Sequence, residues 1–342
     1  RAEIERLLTT GDLFRYTSKE DAPVTLLERE FAKVMGATYA LAVSSCSAAL
    51  FLSLKALDLP RDARVLIPGF TFAAVPSSVV HAECVPVLCE VGPNYRIDMA
   101  DFAQKIDQDI AAVIIRHAHN IGTIGKIGCF SFQSYKLLNA GEGGILITDD
   151  ADLAARAVIM SGAYEHNWQK HDVLDAAMER WQNKLPLYNV RLSNMAAAIV
   201  RPQLAEVPRR VRDGLRNHDH VAALLNAEAA FDVPPPLGPE SRAPDSLQFN
   251  LVEASDADVL RFQEVAADIG IKVQVFGMST DNARAFWNCQ ILGDTPELPQ
   301  TRAMLMRACD VRLPARLSVE DCTLIANGLI EAARIAFARK AA

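Results

Sequence analysis

The sequence predicts an α/β protein: a large domain with a mostly parallel sheet covered by helices, followed by a smaller C-terminal α/β domain. Three observations predict it. Short apolar runs of strand length alternate with longer stretches of helical spacing as far as residue 148, the pattern of a sheet buried on both faces. A proline-rich stretch, "VPPPLGPESRAP" (233–244), then interrupts the chain and marks a boundary. Beyond it strand and helix signals resume on a smaller scale. The expected domains are 1–232, with an N-terminal helical segment and a long connecting helix, and 233–342.

The elements follow in order. "APVTLLEREFAKVMGA" (22–37) carries apolar residues at helical spacing and ends on Gly36, "YALAV" (39–43) reads as a strand, and "CSAALFLSLKALDL" (46–59) as a helix. Further buried strands are expected at 64–68, 84–91, 111–115, 128–132 and 143–148. One long helix is expected over 191–228. After the prolines come a strand at 247–252, a helix near 256–268, a strand at 271–276 and a terminal helix from Ser318. One place breaks the pattern: only "RHAHNIGTIGKI" (116–127) separates two expected strands, whereas a parallel crossover needs a dozen or more residues and usually a helix. Either the two strands are not parallel neighbours, or residues are missing from this stretch; the second explanation is preferred.

Composition excludes several classes of function. The chain has 342 residues, 50% of them hydrophobic, enough to bury a large core. Its 35 Lys and Arg are outnumbered by 42 Asp and Glu, so a nucleic-acid partner is not expected. No apolar run has the length of a membrane span and the N-terminus lacks a signal-peptide pattern. The chain opens on Arg1, as a sequence starting downstream of its natural beginning would. Seven cysteines, an odd number without a C-x-x-C pair, sit mostly among apolar residues, which fits a reducing cytoplasm.

Three stretches carry chemistry. In "AVSSCSAAL" (42–50) a strand runs into a helix through Ser44, Ser45, Cys46 and Ser47, gathering N–H groups and hydroxyls at a positive helix end. Such a turn holds a phosphate or simply caps the helix. In "PGFTFAAVPSS" (68–78), Phe70 and Phe72 follow a strand at the end where open α/β sheets bind ligands; a ring there stacks on a flat cofactor or packs into the core. In "CFSFQSYKLLNAGEGG" (129–144), Lys136 lies between an apolar strand and a tight glycine turn. Burial disfavours a lysine's charged form and makes its amine a nucleophile and proton carrier; the alternative is a solvated surface group. A phosphate cradle, a stacking ring and a buried lysine together match pyridoxal phosphate, whose aldehyde needs an amine for a Schiff base.

Other candidates are weaker. His117 and His119 form a His-x-His pair without the further ligands zinc needs, so no metal is expected. His218 and His220 lie in a charged helix and are expected to be solvated. "FGMSTDNARAFWNCQIL" (276–292) either shapes a substrate pocket or packs as an aromatic cluster. Arg15, Arg191 and Arg284 bind a carboxylate or diphosphate, or form surface ion pairs.

"SSCSAAL", "PGFTFAA", "CFSFQSYKLLNAGEGG" and "LPLYNVRLSNMAAAIVRPQL" occur in the order and approximate spacing of the DegT/DnrJ/StrS family, the sugar aminotransferases of pyridoxal-phosphate fold type I, which the chain resembles over nearly its whole length. The resemblance implies Lys136 as the Schiff-base lysine and Ser131 as a ligand of the cofactor phosphate. Cys46 and Ser47 stand where the family usually has Gly-Thr at that phosphate, Phe72 matches the stacking aromatic, and Asn189 matches an asparagine that reaches the partner subunit's phosphate. A homodimer with shared sites is thus implied. The family's Asp-x-Ala-His or Asp-x-x-Gln aspartate, which pairs with the pyridine nitrogen, has no counterpart between Val113 and Lys136. "HAHN" (117–120) stands as a remnant, placing His119 beside the cofactor's phenolic oxygen. Without the aspartate the electron sink loses its main partner and transamination should fail. The implied reaction moves an amino group from glutamate or glutamine to a keto-sugar. Lys136 favours it over the family's dehydratases, which carry histidine there. A non-catalytic or regulatory homologue, or a metal-dependent hydrolase using His117 and His119, are the alternatives.

Overall fold

The computed structural model describes residues 1–18, 21–106, 109–114, 123–171, 175–238 and 242–338. His117 and His119 therefore lie outside the described residues. The chain runs α1 (Ala2–Thr10), α2 (Pro23–Met35), β1 (Tyr39–Val43), α3 (Cys46–Ala56), β2 (Arg64–Pro68), α4 (Ala74–His81), β3 (Val85–Cys89), α5 (Met99–Ile106) and β4 (Ile110–Val113). It continues with β5 (Gly128–Ser131), β6 (Gly144–Thr148), α6 (Ala151–Gly162), α7 (Asp175–Trp181), α8 (Asn194–Leu204) and α9 (Val207–Asn226). The last stretch holds β7 (Phe231–Asp232), β8 (Ser246–Leu251), α10 (Asp256–Asp268), β9 (Val273–Val275), α11 (Pro299–Leu305), β10 (Ala308–Arg312) and α12 (Val319–Phe337).

The chain divides into two compact units. One comprises Arg1–Ala63, Ser78–Cys84 and Arg116–Val207; the other comprises Arg64–Ser77, Val85–Ile115 and Pro208–Ala342. The first unit is built on a three-stranded sheet of order β1-β6-β5, with β6 antiparallel to both neighbours. Side chains alternate between its faces. Leu41, Val43 and Leu146 pack with Ala49, Leu52 and Ala56 of α3 and with α6. Ala42, Ile145 and Ile147 pack on the other face with Val24, Leu27 and Phe31 of α2 and with Ala197 and Val200 of α8. Helices thus cover both faces, as the continuous apolar run "GILIT" requires.

The second unit contains a parallel sheet of order β3-β2-β4 and an antiparallel sheet of order β7-β8-β10-β9. The mixed α/β class with a parallel sheet is as expected. The two strands flanking the short stretch 116–127 pair elsewhere: β4 with β2, and β5 with β6. They are not neighbours in any ladder among the described residues, so the first of the two explanations holds for their pairing.

Two expectations need correction. The single helix over 191–228 is two helices, α8 and α9. Pro208 has no N–H for the carbonyl of Leu204, so the ladder stops there and restarts with proline in the next helix's first turn, where no donor is needed. His218 is buried, not solvated, at 6% exposure. It shares a stripe of α9 with Gly214, Val221 and Leu225, positions at helical spacing that face the core.

Candidate active site

The site grows from a row of residues across the first unit's sheet. Register pairs Ser131 with Gly144 and Gly144 with Val43, and an isolated bridge continues the row from Val43 to Arg191. Cross-strand partners project to the same face, here the face covered by α3. Cys129, two residues before Ser131, confirms it: its Sγ lies 3.3 Å from the hydroxyl of Ser53 in α3. Beyond Val43 the chain turns into that helix. Ser45 is the N-cap, its side chain accepting from the Ala48 N–H at 3.0 Å. The N–H groups of Cys46 and Ser47 have no acceptor within the helix.

Gly144 fixes how close this turn comes to the row. A Cβ there would stand 2.5 Å from the Cys46 nitrogen and from the Ser45 oxygen, a distance no side chain tolerates. Only glycine lets β6 pass beneath the turn. The result is a corner bearing two helix-terminal N–H groups, the exposed Ser47 and the Ser131 hydroxyl, all suited to a phosphate dianion. The phosphate end of the cofactor implied by the sequence therefore fits these residues.

Lys136 lies in the loop joining β5 to β6. The Phe132 N–H donates to the Gly143 carbonyl at 2.8 Å and the Ser134 N–H to the Gly141 carbonyl at 3.0 Å. Gly141 and Gly143 have φ of 86° and 147°, which L side chains rarely adopt. At the loop's far side, Asn139 is tied to Gln203 of α8 through its N–H and its carbonyl, at 3.2 and 2.6 Å. The glycines thus shape the turn, and Glu142 is exposed. Lys136 itself is exposed rather than buried, contrary to the expectation, because its position lies past the end of β5 instead of within the sheet. Its charge still reaches the corner: burial pushes the Cys46 thiol up, and the Lys136 ammonium partly offsets this. The neighbouring Cys129 thiol, partly buried, is pushed up by desolvation to about 12.

Phe72 belongs to the second unit. Its ring is 54% exposed and is not a core residue, whereas Phe70 packs at 4.9 Å from Phe276. The Arg284 guanidinium stands 5.9 Å from the Phe72 ring and 5.6 Å from Phe276. Within 276–292, Phe286 is buried and meets Trp287 edge-on at 5.0 Å, the packing that the aromatic-cluster reading expects.

Asn189, exposed, has a positive φ of 49°. Arg191 donates to the Gly162 carbonyl at 2.6 Å and lies over the rings of Phe14 and Tyr164; its place in the row was not foreseen, since only the bridge to Val43 reveals it. Arg15 proves structural. It is 1% exposed and pairs with Glu28 at 2.5 Å, while Glu28 also accepts from the Ala42 N–H in β1. His171 completes this cluster, 2.9 Å from the Tyr16 hydroxyl; burial, then the Arg15 charge, hold its pKa well below the ordinary value. Among the described residues no group of three or more His, Cys, Asp or Glu is placed to hold a metal, and no helix is long and apolar enough to cross a membrane.

A profile of the DegT/DnrJ/EryC1/StrS aminotransferase family matches residues 17–119 and 116–329. The spore coat polysaccharide biosynthesis protein SpsC of Bacillus subtilis is 29% identical over 239 aligned positions, covering 58% of this chain and 59% of SpsC. The L-glutamine:scyllo-inosose aminotransferase of Streptomyces griseus is 30% identical over 170 positions, covering 38% of this chain and 40% of that protein. The chain thus spans less than two thirds of these relatives. In structure, the aminotransferase TlmJ from Streptoalloteichus hindustanus superimposes with a TM-score of 0.82 at 19% identity, over 99% of this chain and 96% of TlmJ, which shows a shared fold.

Proposed function

The chain belongs to the DegT/DnrJ/EryC1/StrS aminotransferase family, and from that premise we propose that it is built for pyridoxal-phosphate-dependent transfer of an amino group from glutamate or glutamine to a keto-sugar or related keto compound. The observation that carries this reading is the corner where Gly144 admits the Ser45–Cys46 turn beside Ser131, five residues before Lys136. The Cys46 and Ser47 N–H groups and the Ser47 and Ser131 hydroxyls would hold the cofactor's phosphate, and Lys136 would supply the amine for its aldehyde. Phe72 is the residue that the family resemblance assigns to stacking on the cofactor ring. When bound, the cofactor supplies an aldehyde that takes the amino group and a ring that accepts the electron pair released at the donor's α-carbon. Lys136 would move the proton between that α-carbon and the cofactor's C4′ position.

An exposed ammonium is a poor nucleophile, so Lys136 needs cover. We place a second copy of the chain there, with Asn189 reaching the partner's phosphate; the 68% exposed Tyr135 beside Lys136 supports such a homodimer. The seven free cysteines support a reducing, cytoplasmic setting. The domain division proposed is 1–232 for cofactor binding and 233–342 for the small domain. The test is a visible spectrum after adding pyridoxal phosphate. The unmodified chain is expected to develop an absorption band that the Lys136→Ala variant lacks; no band in the unmodified chain sinks the reading.

A further inference from the structure

We infer that Gln203 is a positioning residue for Lys136, acting through Asn139 to hold the lysine's backbone at a set place beside the phosphate-binding corner. The inference rests on the function proposed above and deepens it. It starts from what β5 leaves undecided. Ser131 ends that strand, and Lys136 follows five residues later. A stretch of that length reaches up to about 17 Å, whereas an amine must come within roughly 3–3.5 Å of the carbon it attacks. Contacts beyond the strand have to fix the lysine.

The loop is bonded first to itself. The Lys136 N–H donates to the Gln133 carbonyl at 2.8 Å, and the Lys136 carbonyl accepts from the Asn139 side-chain amide at 3.2 Å. Two attachments then lead from the loop to the helices behind it. Leu138 and Ala140 pack against the cluster that holds Val200 and Leu204 of α8, a contact that draws the loop down without setting its orientation, because apolar burial has no direction. The second attachment is directional. The Gln203 side-chain amide donates to the Asn139 carbonyl at 2.6 Å and accepts from the Asn139 N–H at 3.2 Å, pairing with that residue's backbone much as a neighbouring strand would. Its nitrogen also donates to the Ile199 carbonyl, 2.9 Å away and one turn back on the same helix, so it has an acceptor for each of its two N–H groups. The next residue, Leu204, is 8% exposed and seats this end of α8 in the core.

A line of hydrogen bonds therefore runs from a core helix to the lysine: the Gln203 amide, the Asn139 backbone, the Asn139 side chain and the Lys136 carbonyl. All of it lies within one compact unit. The step that depends on it is capture of the cofactor, in which the Lys136 nitrogen bonds to the aldehyde carbon and the aldehyde oxygen leaves as water with the two protons of the neutral amine. Ser131 and the Cys46–Ser47 turn lie outside the line. Breaking it slows capture and leaves the phosphate site in place.

The experiment compares the unmodified chain with Gln203→Met, which keeps the side chain's length and volume without the amide, with Asn139→Ala, and with the double variant. Three quantities are measured: the rate at which the visible band appears on adding pyridoxal phosphate, the affinity for pyridoxamine phosphate, which has no aldehyde, and the urea midpoint. Gln203→Met is expected to slow the band about 10-fold or more, the scale on which small misplacements of a reacting group act, to leave the affinity for pyridoxamine phosphate unchanged, and to lower the urea midpoint. In the Asn139→Ala background the backbone at 139 remains while its side-chain link to Lys136 is gone, so the same substitution should lower the midpoint again yet slow the band no further. Full slowing in that background, or an unslowed band in Gln203→Met, overturns the inference. Should Gln203→Met fail to fold, Gln203→Glu, which keeps the acceptor for the Asn139 N–H and loses both donors, is measured in its place. Absence of the band from the unmodified chain overturns the role of Lys136 proposed above, and this inference with it.

Discussion

At the residue scale, the site depends most on a group that takes no part in chemistry. Gly144→Ala forces a methyl into the backbone of Ser45 and Cys46, and neither β6 nor the N-terminus of α3 can yield without disturbing a core. A loss of about 1–3 kcal/mol is expected from such overpacking, seen in urea unfolding, together with weaker binding of pyridoxal phosphate in titration. Unchanged affinity would mean the turn is not the phosphate site. His171 gives a second test. Enclosed beside Arg15, Tyr16 and Glu28, it resists a proton that it would accept near pH 6.5 in the unfolded chain. As pH falls through 6.5 the unfolded state binds more protons than the folded one, so stability present above pH 6.5 declines below it. The slope contributed is at most about 1.4 kcal/mol per pH unit. Urea unfolding between pH 7.5 and 5.5 measures it, and His171→Gln should remove that share of the slope. These two residues differed in legibility. The glycine run before β6 announces a tight turn in the sequence; His171, an isolated histidine between polar residues, gives no sign of burial until Arg15 and Tyr16, more than 150 positions away, are seen against it.

At the scale of elements, α3 links stability to the site. Its N-cap Ser45 satisfies the Ala48 N–H and so leaves the two preceding N–H groups for a ligand. Ser45→Ala is expected to cost about 1 kcal/mol and Ser45→Gly only a few tenths, measured by chemical denaturation; equal losses in the two variants would show that the hydroxyl is not the cap. Such caps are local and were readable from residue types alone, as were the strands that are apolar throughout. The elements that escaped notice are those whose identity is decided by neighbours. β10, "ACDVR", mixes a charge of each sign with three core residues, and becomes a strand because β8 and β9 flank it in register. The break between α8 and α9 was legible in principle, since Pro208 carries its own reason, but the apolar periodicity on either side masked it.

At the scale of the whole molecule, β4 and β5, adjacent in sequence, belong to different sheets, β4 beside β2 and β5 beside β6. Sequence alone determined the α/β class, the order of most elements and the resemblance, because all three depend on periodicity and spacing along the chain. Tertiary structure decided what those residues do together. It brought Ser131, Gly144, Val43 and Arg191 into one row, set the Ser45–Cys46 turn on Gly144, left Lys136 exposed and enclosed Arg15. Register between strands and the packing of helix on sheet join residues far apart in sequence, and no local pattern encodes which of them will touch.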